Sequence, residues 1–142
     1  MAITMDQAME WAAARKHAVL ITLRKDGRAQ SSDVSYSVID GALVVSLTAT
    51  RAKTANMRRD PRIVVHITDP GTWSYVSFDA VVELGDVTTA PDDDAANALV
   101  DYYERVAGQP HPDWDEYRAA MISEERQLAY VRPASAVGQI NG

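Results

Sequence analysis

A chain of 142 residues, 46% of them hydrophobic, is long enough to bury one core and too short for two of ordinary size, so a single domain over residues 1–142 is expected and disorder is not. A formal charge of −6 argues against non-specific nucleic-acid binding, which depends on neutralising many phosphates. Cysteine is absent, which removes disulfides, thiolate metal sites and thiol nucleophiles together.

No apolar run reaches the roughly 18 residues of a membrane span, and Met1-Ala2-Ile3-Thr4-Met5-Asp6 lacks the basic and then apolar plan of a secretion signal. No membrane association and a cytoplasmic location are therefore expected. Thr4-Met5-Asp6-Gln7 has the form of a capping box, and Met5, Ala8, Met9, Ala12 and Ala13 recur at helical spacing as far as about Arg15. From Ala18 to Leu23 the run turns β-branched and apolar, and Asp26-Gly27 predicts a hairpin into a second strand, Ala29 to Ile39. On that strand Ser32, Val34, Tyr36 and Val38 are expected on one face, and Gln30, Ser31, Asp33, Ser35 and Ser37 on an opposite, polar one. Asp40-Gly41 predicts another tight turn into a third strand, Ala42 to Thr48, which carries Ser46.

Five of the chain's fourteen Lys and Arg residues then fall within residues 51–62, Arg51-Ala-Lys53-Thr54-Ala-Asn56-Met-Arg58-Arg59-Asp60-Pro61-Arg62. The segment reads as a strand running into a basic helix start that Asp60-Pro61 terminates. Arg51, Lys53 and Thr54 at that junction are the residue types that, with helix amides and the helix dipole, hold a phosphate or similar anion. Arg58, Arg59 and Arg62 sit where cations complement a helix C-terminus whatever the function.

Ile63 to Thr68 forms a fourth expected strand, Asp69-Pro70-Gly71 a turn, and Trp73 to Leu84 a fifth strand ending in a bend at Gly85-Asp86. Trp73 and Ser74 follow the turn, where the aromatic either covers a ligand or packs in the core. Pro91-Asp92-Asp93-Asp94 opens a helix running to a cap at Gly108, a second helix covers about Trp114 to Ile122, and Leu128 to Arg132 is the final strand. His17, His66 and His111 are too scattered to suggest a metal centre, and none is expected. The polar face of the second strand is either the wet side of an antiparallel sheet or a hydrogen-bonding shelf for a heteroaromatic ring. Six strands joined by tight turns, with helical covers, predict an α+β fold built on a small barrel.

The basic segment, preceded by the Asp26-Gly27-Arg28 hairpin and followed by Gly71-x-Trp73-Ser74-Tyr75, resembles the pyridoxamine-phosphate-oxidase-like split β-barrel superfamily. Within it the chain is similar to the B group of flavin/deazaflavin oxidoreductases common in actinobacteria, and the likeness continues through Ala90 to Asp94, Tyr103, Gly108, Asp113-Trp114-x-x-Tyr117-Arg118 and Met121. The resemblance implies a six-stranded split barrel and a homodimer with cofactor sites at the subunit interface. It further implies a phosphate held by Arg51, Lys53 and Thr54 with Asn56, and a ring lying along Gln30, Ser31 and Asp33 with Ser46 nearby. Trp73 and Ser74 would reach the cofactor from the partner subunit. The implied cofactor is coenzyme F420, with FMN as the alternative, and the implied chemistry is hydride transfer to a small-molecule acceptor such as an electron-poor alkene. Arg58 and Arg59 are candidates for attracting the oligoglutamate tail of F420.

Overall fold

The computed structural model describes residues 2–142. Six strands, β1 (His17–Leu23), β2 (Ala29–Ile39), β3 (Ala42–Thr48), β4 (Arg62–Asp69), β5 (Ser74–Leu84) and β6 (Arg126–Gln139), close into an antiparallel barrel in the order β1-β2-β3-β6-β5-β4. Four helices surround it: α1 (Met5–Ala13), α2 (Ala52–Arg59), α3 (Asp94–Ala107) and α4 (Trp114–Ser123). The expected six-stranded split β-barrel is the observed fold. Leu20, Leu43, Val45, Leu47, Val65, Ile67, Val76 and Phe78 fill its interior, the alternate residues that the strand period sends inward.

Tight turns set the register. Asp40 (φ 50°) and Gly41 (φ 78°) both take positive φ, as a two-residue turn matched to strand twist requires. The Thr4 and Gln7 capping box forms as expected, and α1 closes one end of the barrel with Ala8 and Ala12 fully buried. The Tyr36 hydroxyl donates to the Ala12 carbonyl at 2.6 Å, and burial pushes its ionisation well above the usual range.

The barrel is split at one seam. β2 pairs with β3 only from Tyr36↔Val45 to Ile39↔Ala42. Before that β2 pairs with β1 alone, from Ala29 to Ser35, while β3 runs on along β6 as far as Thr48↔Arg126. The two strands therefore part between residues 30–35 and 46–48. Helices α3 and α4 pack beside this opening through a second core of Ala42, Val44, Leu99, Tyr102, Tyr117, Met121 and Leu128.

Four expectations are corrected. Gln30 does not share the face of Ser31, Asp33 and Ser35: its partner is Thr22, and Ser32 faces Leu20, so residue parity rather than polarity decides the face. Trp73 precedes β5, with φ at 56°. Pro91 lies ahead of α3, whose cap is Asp93. Strand β6 runs to Gln139, past Pro133 at a register shift opposite Asp79/Ala80, a place where a sheet tolerates proline. At Gly138, also in this stretch, an added Cβ would lie 2.2 Å from the Tyr75 carbonyl oxygen.

Candidate functional site

Helix α2 starts three residues after β3, and its side chains divide into those that hold it in place and those that face the open seam. Thr54 is fully buried, and its hydroxyl donates to the Thr48 carbonyl at 2.8 Å. Asn56 is a hub: its Nδ2 donates to Thr22 Oγ1 (3.1 Å) and Gln30 Oε1 (2.9 Å), while its Oδ1 accepts from Arg59 (2.9 Å). The Gln30 side chain is thus on the Thr22 face, with its amide oxygen fixed by Asn56. Arg58 donates to the Ala49 carbonyl and Arg59 to the Leu23 carbonyl. Arg62 pairs with Asp60 through two hydrogen bonds of 3.0 and 2.8 Å, which holds the Asp60 carboxyl at about 2.

Arg51 and Lys53 remain. Among the described residues neither forms an ion pair or donates a side-chain hydrogen bond, and Arg51, although it is the N-cap, makes no side-chain capping bond. The amides of Ala52 and Lys53 have no acceptor within the described chain, since the first bonds to Arg51 come from Thr54 and Ala55. Lys53 is held below the usual lysine range, first by partial burial and then by the charges of Arg51 and Arg126. Cations crowded at an uncapped helix start, one of them partly desolvated, have the chemistry that would favour an anion.

Arg51 and Lys53 open onto a cleft of about 400 Å³ that also exposes Gln30, Ser32, Ser46, Thr48 and Arg126. A second compartment of about 360 Å³ shares Ser46, Lys53 and Arg126, and continues past Asp33 and Ser35 to Tyr102, Tyr103, Tyr117 and Met121. One cleft therefore follows the split between β2 and β3. Of the expected residues it brings together Gln30, Asp33, Ser46, Arg51 and Lys53. Thr54 and Asn56 lie behind it as framework, and Ser31 points outward, exposed.

Trp73 and Ser74 are not on this cleft within one chain. Trp73 is 84% exposed, so packing in the core does not account for it. Ser74 is buried, and its Oγ accepts from Thr72 Oγ1 (2.8 Å) and the Asn141 amide (2.9 Å). Sequence reasoning missed Arg126. Only the register that sets it opposite Thr48 carries it to the cleft, and its place before the expected start of β6 gave no signal.

An antiparallel barrel opened along one seam, with a cationic cleft in the opening, is a split-barrel architecture. A family model described as pyridoxamine 5'-phosphate oxidase matches residues 4–136, and the chain belongs to that family. Solved structures agree on the fold. The conserved hypothetical protein Rv2991 from Mycobacterium tuberculosis is 22% identical with a TM-score of 0.75, over 96% of this chain and 84% of that one. A protein described as an F420 reductase is 22% identical with a TM-score of 0.65, over 89% and 94%. An FMN-binding protein related to pyridoxamine 5'-phosphate oxidase, from Nostoc punctiforme, is 13% identical with a TM-score of 0.67, over 97% and 86%.

Proposed function

We propose that the protein is an F420-dependent reductase that delivers a hydride to an electron-poor conjugated acceptor. The observation that carries this reading is the free pair Arg51 and Lys53 at the uncapped start of α2, beside the polar shelf of Gln30, Ser32 and Ser46. These residues fit a phosphate-bearing cofactor: two cations and two amides for the phosphate, and fixed polar groups beyond it for the edge of a heteroaromatic ring. When bound, the reduced deazaflavin supplies the hydride. The chain's own contribution is to bind, orient and enclose. Asn56 fixes the Gln30 amide, and Lys53 and Arg126 supply positive potential at the junction of the two compartments.

The likeness to an F420 reductase supports the deazaflavin; the likeness to an FMN-binding protein makes FMN the second reading. Parallel fluorescence titrations decide between them. F420 is expected to bind more tightly than FMN, and Lys53→Ala to weaken binding by about tenfold or more, the usual scale for one charge-assisted contact. Tighter FMN binding, or no effect of the substitution, would sink the reading. A carrier without catalysis would bind F420 and turn over no member of a panel of enones, quinones and tetrapyrroles.

The active unit is proposed to be a homodimer. Tyr75 and Val137, near one another on the outer face of β5 and β6, are large apolar side chains exposed close to the protruding Trp73, and Val81 is exposed further along β5. Exposed apolar side chains of this kind support a subunit interface, and the exposed Trp73 supports a reach toward the partner's cleft. Val137→Glu, at a position 64% exposed, is expected to shift sedimentation to the monomer and to weaken cofactor binding with it. A wild-type monomer in the same experiment would remove the dimer.

A further inference from the structure

The second compartment of the cleft differs in chemistry from the first. Its walls are Tyr103, Tyr117 and Met121 on one side and Lys53 and Arg126 on another, with Asp33 near Ser35 at its β2 edge. Tyr102 and Tyr117 have their hydroxyls engaged, donating to the Ser35 and Leu99 carbonyls at 2.9 Å. The Tyr103 hydroxyl has no such partner among the described residues. Its ring is nonetheless locked, edge-on against His111 (5.1 Å), Trp114 (5.8 Å) and Tyr117 (5.1 Å). The His111 ring is itself held, with Nδ1 accepting the Asp113 amide hydrogen at 2.9 Å.

Arg126 has donors to spare. Its Nε and Nη2 both donate to one oxygen of Glu124, at 3.2 and 2.9 Å, and Nη1 has no partner among the described residues. A preset aromatic ring, an adaptable thioether and an unsaturated guanidinium in one cavity match a flat ring system carrying a carboxylate. We propose that this compartment binds a planar conjugated carboxylate, with the ring system against Tyr103 and Met121 and the carboxylate on Arg126. Asp33 fixes the direction of entry, because a carboxylate placed at the β2 edge would meet its charge. Taking this ligand as the hydride acceptor rests on the reading above; the site itself does not.

The test uses 2-naphthoate, with 2-naphthamide as its neutral twin, in equilibrium binding followed by ligand-observed NMR on the whole chain, with and without F420. Naphthoate is expected to bind about tenfold more tightly than the amide, a difference that Arg126→Gln removes. Tyr103→Leu is expected to weaken both probes by about tenfold. Asp33→Asn, at an exposed position that leaves folding intact, is expected to strengthen naphthoate binding severalfold and leave the amide unchanged. The proposal is overturned if the two probes bind alike, if Asp33→Asn leaves the naphthoate-to-amide ratio unmoved, or if F420 displaces naphthoate, which would make the compartment part of the cofactor site. Failure of F420 to bind while the naphthoate pattern holds sinks the cofactor reading alone.

Discussion

Helices α2 and α3 start in opposite ways. At α3, Asp93 accepts hydrogen bonds from the amides of Thr89, Ala90 and Ala96 and from the Thr88 hydroxyl, so the start is satisfied from within and its dipole meets a carboxylate. At α2 the cap position is held by Arg51, which caps nothing, and positive side chains stand where a negative one would be favourable. Helices α1 and α4 are also capped by their own side chains, Thr4 and Asp113. The chain thus has the means to close a helix start and does not use them at α2. An unfavourable local arrangement in an otherwise consistent sequence is what the proposed anion site would require at α2.

The largest expected effect comes from making α2 resemble α3. Arg51→Asp supplies the missing cap and complements the dipole, so stability to denaturant is expected to rise by about 0.5–1 kcal/mol. The same change replaces a cation by an anion at the proposed phosphate position, and F420 affinity is expected to fall by about a hundredfold or more. A variant that gains stability and keeps its affinity would show that the open helix start holds nothing. Next in size is Asn56→Ala, which leaves Thr22, Gln30 and Arg59 without their shared partner in a buried network. A loss of about 2–3 kcal/mol is expected in urea unfolding, with weaker cofactor binding as Gln30 becomes free to turn. Arg58→Ala, on the same helix but bonded only to the Ala49 carbonyl, should change binding less than about twofold.

Much of this contrast was legible in the sequence. The strand-to-helix junction, the position of the basic cluster, the Asp40-Gly41 turn and the six strands all follow from local chemistry, because turn residues and period-two patterns act over a few positions. The division of labour within the cluster was legible only in part. Arg51 and Lys53 were separable from Arg58, Arg59 and Arg62 by dipole reasoning, but the inward turn of Thr54 and Asn56 depends on Thr48, Thr22 and Gln30, up to 34 residues away. Arg126 was not legible at all, since its role follows from the β3 to β6 register. The full length of β6 was hidden for a related reason: its second half consists of Pro, Gly, Ala and Ser as well as Val and Gln, and only pairing with β5 makes it a strand.

The acid limb of stability tests the closed start. Four hydrogen bonds hold the Asp93 carboxyl at about 2, the backbone amides of Thr89 and Ala96 first among the causes. A group whose folded value is depressed contributes stability above its unfolded value, near 4, and loses it as pH falls toward 2. Asp93→Asn should therefore lower the melting temperature at pH 6 and show a shallower fall between pH 4 and 2. An unchanged acid limb would mean that other carboxylates carry it.

A further expected effect concerns Lys53, and it probes the open start directly. Partial burial, then Arg51 and Arg126, favour the neutral amine and hold Lys53 below the usual lysine range. An anionic ligand needs the ammonium form, so affinity is complete below the lowered value and is lost as pH rises through it. F420 binding should accordingly weaken at a lower pH than an exposed lysine would dictate, and each binding event in that range should take up a fraction of a proton, measurable by calorimetry in buffers of different ionisation enthalpy. Lys53→Arg keeps the charge at every accessible pH, so the alkaline fall and the proton uptake should both disappear while neutral-pH affinity changes by only a fewfold. If the alkaline fall survives in Lys53→Arg, the titrating group lies elsewhere. The contrast between the two helix starts would then rest on Arg51 and the free amides alone.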